Sequence, residues 1–279
     1  MLTIDPKEIP VPKLHHYLLG AIGPRPIAFA STVDNNGNRN LSPFSFFNVF
    51  SANPPILVFS PARSGRTGET KNTFDNVKET KEVVINIVNY DIVQQMSLSS
   101  SPYGKDVDEF IKSGLTPIAS ETIKPFRVKE SPVQFECKVN EIVELGQNGG
   151  AGNLVICEVL KIHINEEVLD ENGMIDQHKI DLVSRMGGNW YCRANDESMF
   201  EIQKPITTIG IGVDAIPSEI KNSKILTGND LGLLGSVESI PSESEISAYP
   251  TITGEKHHEA KKLIENGEIE NAWKVLLSK

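Results

Sequence analysis

From Val133 to Asn140 apolar and polar positions alternate without a break. Val133, Phe135, Cys137 and Val139 fall on one side, and Gln134, Glu136, Lys138 and Asn140 on the other. A period of two predicts a half-buried strand. Across the loop Gly146–Gly152 a second strand is expected over Leu154–Ile164, with Glu158, Lys161 and His163 as its polar members, and the two form a hairpin. An earlier hairpin is predicted where IAFASTV (residues 27–33) meets Asp34-Asn35-Asn36-Gly37, a turn that tolerates positive φ. Its returning run, LSPFSFFNVF (41–50), spaces Ser42, Ser45 and Asn48 by three, which suits neither strand nor helix, so irregular backbone is expected there. ILVFS (56–60) reads as a buried strand and PARSGRTGETKNT (61–73) as a loop. A short helix over Asn72–Glu79, with Phe74 and Val77 on one face, leads to a strand at Val83–Val88. A further helix carrying Ile92, Val93 and Met96 is expected to take Asp91 as its cap.

Short strands with few helices between them predict a mainly β, α+β fold: an antiparallel barrel with helical insertions. Past Phe200 the chain turns rich in Gly, Pro and Ser, as in GIGVDAIP and LTGNDLGLLG, and is expected to drape over another surface. It ends in an amphipathic helix, because Ile269, Ala272, Trp273, Leu276 and Leu277 share a face. Residues 1–195 are therefore assigned to the barrel and 196–279 to a C-terminal extension, whose last helix must seek the barrel or a dimer mate.

Composition narrows the function. The 279 residues hold 27 Lys and Arg against 37 Asp and Glu, a net charge of −10, which disfavours nucleic acid as a partner. Cys137, Cys157 and Cys192 are far apart and form no CxxC pair, so a reduced, cytoplasmic setting is expected. The start shows no export signal, and no apolar run approaches the roughly 20 residues a membrane span needs. GRTGET (65–70) lacks the lysine of a phosphate loop, and Gly210-Ile211-Gly212 is a lone GxG without the rest of a dinucleotide fingerprint. The pairs His15-His16 and His257-His258 read as surface residues.

One stretch departs from the acidic background. Arg63, Ser64, Arg66, Thr67, Thr70, Lys71 and Thr73 gather cations and hydroxyls at an expected helix start, where free amides and the helix dipole would hold a phosphate monoester. A solvated loop is the competing reading.

The blocks GPRPIAFASTVDNNGNRNLSPFSFFNVFSANPPILVFS, SGRTGETKNTFDNV and KEVVINIV, in that order, resemble the flavin reductase-like family, and LVSRMGGNWY (182–191) resembles the end of its larger, flavoredoxin-containing branch. The match spans roughly residues 10–195. The resemblance implies an FMN-binding antiparallel split β-barrel, commonly a homodimer, in which Ser31, Thr32 and the run Leu41, Ser42, Pro43, Phe44, Ser45 line the flavin, with Asn48 beyond them. Lys71-Asn72-Thr73 resembles the family's Lys-Asp-Thr phosphate contact, with Asn at the middle position. Ser60 and Arg63 are further candidates for the phosphate or ribityl chain. His163 would stabilise reduced flavin if it meets the ring, and is otherwise a structural strand residue. Trp190 and Tyr191 either stack near the ring or fill the core.

The expected activity is that of an FMN-dependent oxidoreductase with NAD(P)H as reductant, the chemistry residing in the cofactor. No metal is required. A non-catalytic electron carrier of flavoredoxin type, served by a redox partner protein, and an enzyme of the pyridoxamine-phosphate oxidase type are the alternatives.

Overall fold

The first hairpin is built around one carboxylate. Asp34 accepts hydrogen bonds from the amides of Asn36 (2.9 Å) and Asn38 (2.8 Å) and from the Asn38 side chain, while Gly37 takes the left-handed conformation, φ 85°. Strand β1 (Ala28–Val33) therefore returns as β2 (Arg39–Phe44), with Ala30 opposite Ser42 and Ser31 opposite Leu41. The chain is a computed structural model that describes residues 1–250 and 254–278.

The irregular backbone expected through 41–50 shrinks to a bend at Ser45–Phe46, after which β3 (Phe47–Ala52) pairs with β4 (Pro55–Phe59). The bend, together with a bulge between Val49 and Ser51, resets the strand alternation and accounts for the spacing of three. The remaining strands of the large sheet are β5 (Glu82–Ile87), β8 (Val133–Glu144) and β9 (Asn153–Ile164). Two small pairs complete the set: β6 (Pro117–Ile118) with β7 (Arg127–Val128), and β10 (Val183–Arg185) with β11 (Tyr191–Arg193).

The seven-stranded order is β2-β1-β5-β8-β9-β4-β3, antiparallel throughout. Its two edge strands follow each other in the chain, so the sheet curls into an antiparallel barrel split between β2 and β3. Ala28, Ala30, Leu57, Phe59, Val83, Ile85, Cys137, Val139, Val155 and Cys157 fill it. Helix α2 (Asn72–Thr80) packs Val77 against that interior. On the other side of β1 and β2, Ile27, Phe29 and Leu41 are covered by α3 (Val93–Ser99) and α4 (Glu109–Ser113) through Met96 and Phe110. Asp91 does not cap α3. It lies in a 3-10 turn, Tyr90–Ile92, and the cap position belongs to Ile92. Helix α1 (Val11–Ala21) buries none of its residues.

The chain forms two compact units, Met1–Phe200 and Glu201–Lys279. The second does not drape: it has a core of its own. Helices α5 (Ser218–Lys221), α6 (Gly228–Leu234), α7 (Glu243–Ser247), α8 (Lys256–Glu265) and α9 (Ile269–Leu277) enclose Ile216, Ile220, Leu234, Ile264 and Trp273. The apolar face of α9 is spent there, with Trp273 fully buried and its indole N–H on the Leu234 carbonyl at 3.0 Å. The GxG motif has a packing role. Ile211 and Gly212 donate amides to Val237 and Gly235, and a Cβ on Gly210 would sit 2.4 Å from the Gly235 oxygen.

Candidate functional site

Pairing of β1 with β2 sorts the hairpin's side chains by face. Ala30, Ser42, Thr32, Asn40 and Phe44 share the inner face, and Phe29, Ser31, Leu41 and Pro43 the outer one. Ser31 and Thr32, expected to line one ligand together, point opposite ways. The Thr32 hydroxyl accepts from the side-chain amides of Asn40 (3.2 Å) and Asn76 (3.0 Å), and Asn40 also donates to the Thr73 hydroxyl at 2.8 Å. All four are buried, so they lace β1, β2 and α2 together. Thr73 thus turns its side chain inward and keeps only its amide at the helix start. The Ser31 hydroxyl is buried without a partner.

At the start of α2, Lys71 holds the cap position with an exposed side chain and no ionic partner among the described residues. The Asn72 and Thr73 amides begin the helix, ahead of any intrahelical acceptor. Asn72 borders a cavity of about 130 Å³ with Arg39, Asn40, Asn76 and Lys105. Arg39 is paired with Asp108 at 2.5 Å and Lys105 with Asp75 at 3.3 Å.

The other expected phosphate ligands are engaged elsewhere. Arg63 donates to Glu144 (3.0 Å) and Gln147 (3.1 Å), and Glu144 also takes Lys78 at 3.0 Å. The Ser60 hydroxyl accepts the Asn153 amide at 3.0 Å. These bonds fasten the 60–70 loop to the β8–β9 hairpin. Asn48 is exposed, its side-chain oxygen taking the Val49 amide at 2.8 Å. Leu41 is buried beneath α3 and α4, with its amide donated to Glu109 (3.0 Å). Burial pushes the Glu109 carboxyl above the ordinary range, against the lowering effect of that bond. Phe44 tilts onto Phe59 inside the barrel, ring centroids 5.6 Å apart, and Ser42 is half-buried on the same face.

His163 belongs to a clamp. Its Nε2 meets a carboxylate oxygen of Glu136 at 2.7 Å. The Glu136 carboxylate, with no exposed surface, also accepts the amides of Glu121 (2.8 Å) and Thr122 (2.7 Å) and the Thr122 hydroxyl (2.5 Å). Burial acts to raise its pKa, but these donors outweigh it and hold the group at about 2. The Gln134–Glu136 part of the polar side of β8 is therefore covered by the segment around 119–127, while Lys138 and Asn140 further along stay exposed.

Pro43 and Ser45 do reach a cavity, one of about 170 Å³, together with Ile27, Met96, Ser100, Arg185 and Tyr191. A second cavity of about 200 Å³ adjoins it across Tyr191, lined by Tyr90, Val93, Gln94, Ser97, Val183, Cys192 and Arg193. Together they form a groove with α3 on one side and the β10–β11 pair on the other. The Arg185 guanidinium lies 4.6 Å from the centre of the Tyr191 ring. Its backbone is held by reciprocal bonds with Arg25 (2.9 and 2.8 Å). Arg25 is itself buried and donates to the carbonyls of Leu19, Ile22 and Met186, so the end of α1 is pinned beside β10. Sequence reasoning pointed to Tyr191 but missed Arg185, Met96 and Ser100. The only signal was the block LVSRMGGNWY, which names a family rather than a contact.

Known proteins share this architecture. A family model for the flavin reductase like domain matches residues 21–181. An uncharacterized protein of Aquifex aeolicus (strain VF5) is 36% identical over 197 residues, 70% of this chain and 97% of that protein. The crystal structure of nitrilotriacetate monooxygenase component B from Bacillus cereus is 32% identical with a TM-score of 0.67, covering 72% of this chain and 98% of that one. Pseudomonas fluorescens 2-nitrobenzoate 2-nitroreductase NbaA is 26% identical with a TM-score of 0.65, covering 76% of this chain and 100% of its own. Each of these relatives leaves about a quarter or more of this chain without a counterpart.

Proposed function

The chain belongs to the flavin reductase-like family, and from that premise we propose that it is an FMN-dependent oxidoreductase, a homodimer that takes electrons from NAD(P)H. The observation that carries this reading is that one barrel presents both an unpaired lysine at a free helix start and a groove opening at the Pro43–Ser45 bend. The residues fit the cofactor's parts. Lys71 and the amides of Asn72 and Thr73 would hold the phosphate, since a dianion gains most from charge-assisted bonds at a helix N-terminus. The Ser45 hydroxyl and the backbone around the bend would read the ring's polar edge, whereas Ser42 and Ser31 point to opposite faces of the hairpin and line no part of the groove. Bound FMN supplies hydride acceptance and electron transfer. The protein's part is to bind, orient and limit access, which needs no residue nucleophile.

The dimer reading is supported by exposed apolar surface: Val49 and Phe50 on β3, Leu160, Ile162 and Ile164 on β9. A cytoplasmic location is supported by three free cysteines. The test is the absorption spectrum of the purified protein with FMN, before and after NADH or NADPH under nitrogen. Bleaching of the flavin band by either nucleotide is expected. A flavin that only dithionite bleaches would leave the electron-carrier reading, and no FMN binding would overturn both.

A further inference from the structure

We propose that Asn148 is a site of spontaneous modification: its side-chain amide is lost to attack by the backbone nitrogen of Gly149, leaving aspartate or isoaspartate in the β8–β9 loop. The sequence holds four Asn-Gly pairs, Asn36-Gly37, Asn148-Gly149, Asn172-Gly173 and Asn266-Gly267. A glycine has no Cβ to keep its nitrogen away from the preceding side chain, so each pair is competent as sequence. All four asparagines are exposed, so access to water does not rank them. The glycine amides do. Gly37 donates to the carbonyl of Asp34 (3.0 Å), Gly173 to that of Asp170 (3.1 Å) and Gly267 to that of Ile264 (2.9 Å). All three of these glycines are also held in the left-handed region, at φ 85°, 74° and 80°. The Gly149 amide has no acceptor among the described residues, and its φ lies outside that region.

A backbone nitrogen attacks only after its N–H has left any acceptor, and a turn that fixes the glycine also fixes the distance between the reacting atoms. Gly149 is free of both restraints. Its nitrogen bonds to the Asn148 Cγ, ammonia leaves with the displaced proton, and water then opens the cyclic imide at either carbonyl. No electrons are exchanged, and water is the only co-reactant. The product differs from the parent in two respects. It carries a new negative charge beside Gln147, which shares the Arg63 guanidinium with Glu144. In the isoaspartate form it also lengthens the main chain by a methylene group where the loop has no slack. A Cβ on Gly149 would lie 2.9 Å from the Ser64 oxygen, the Gly150 amide donates to Arg63 (3.1 Å), and the Arg63 amide donates to Ala151 (2.9 Å). The 63–65 segment must therefore shift or give up these bonds. On the FMN reading the same loop leads to Lys71, so modified protein should bind FMN more weakly; that consequence alone rests on the reading.

The test is peptide mapping by mass spectrometry of the full chain, sampled over days in mildly alkaline buffer, both folded and in urea. In the folded protein Asn148 should lose its amide about fivefold or more faster than Asn36, Asn172 or Asn266, since a hydrogen bond must break at each of those three. In urea the four rates should converge. Loss at Asn148 no faster than at the others, or the same ranking kept in urea, overturns the proposal. The modified fraction, separated by anion exchange, should be cut by trypsin after Arg63 or Arg66 faster than fresh protein, and aged Asn148→Gln should gain neither the charge at this position nor the susceptibility. Equal cleavage of the two fractions overturns the coupling to the 63–65 segment. Failure of both fractions to bind FMN overturns the FMN reading and leaves the modification site standing, whereas equal FMN affinity in both removes the link between them.

Discussion

Glu136 concentrates the chemistry of a whole surface in one side chain. Its folded pKa, about 2, lies below the ordinary 4.5, so its stabilising effect is complete above 4.5 and is lost as the pH falls through that window. Glu136→Gln should lower the unfolding free energy at neutral pH by about 1–3 kcal/mol and flatten the acid limb between those values, as urea unfolding at a series of pH values would show. Lys71→Ala belongs to the same scale: loss of a charge-assisted contact of about 1.5–3 kcal/mol should loosen FMN by about tenfold or more in a fluorescence titration, and unchanged affinity would mark Lys71 as a solvated helix residue. Alternation put Glu136 on the polar side of its strand, which was right, and implied water there, which was wrong. The cover comes from residues 119–127, a stretch without periodicity, and only the folded chain brings its amides to the carboxylate. Thr73 and Arg63 were legible as polar groups near a helix start, but hydroxyls and guanidinium groups bond as well to protein as to phosphate. Which of these they meet is a tertiary matter.

Among the elements, those with a clean period were legible to within a residue or two, except at the end of β8, which runs four residues past its alternation to Glu144. The β8–β9 hairpin, α2 and α9 all stand where their spacing puts them. The Ser45–Phe46 bend was not legible, because a two-residue break between strands leaves the same irregular spacing as a loop. Nor was the fate of the Gly-rich run after Phe200, where the helices have only four to seven residues before α8 and their apolar stripes are too short to register. Gly210 shows what such a run is for. Its α-hydrogen faces the Gly235 carbonyl where two backbones cross, so Gly210→Ala must push them apart. A loss of about 1–3 kcal/mol in the helical unit, read as a lowered calorimetric transition, is expected. An unshifted transition would show that the crossing has room to relax.

For the whole molecule, the two cores imply that the barrel does not depend on the helical unit for its interior. Relatives that run to 97% or more of their length on about seven tenths of this chain fit that view. A chain ending at Phe200 should therefore remain folded, with FMN affinity within about twofold of the full protein. An aggregated or flavin-blind product would show that the unit beginning at Glu201 completes the barrel.

The two tryptophans give this division a further use. Trp190 is 78% exposed and adjoins Tyr191 in the barrel unit, whereas Trp273 has no exposed surface in the helical one. The protein thus carries one native fluorophore per unit, of opposite solvent character. A water-soluble quencher should silence the first and spare the second, so the emission spectrum followed along a single denaturation can separate the melting of the two units without any label.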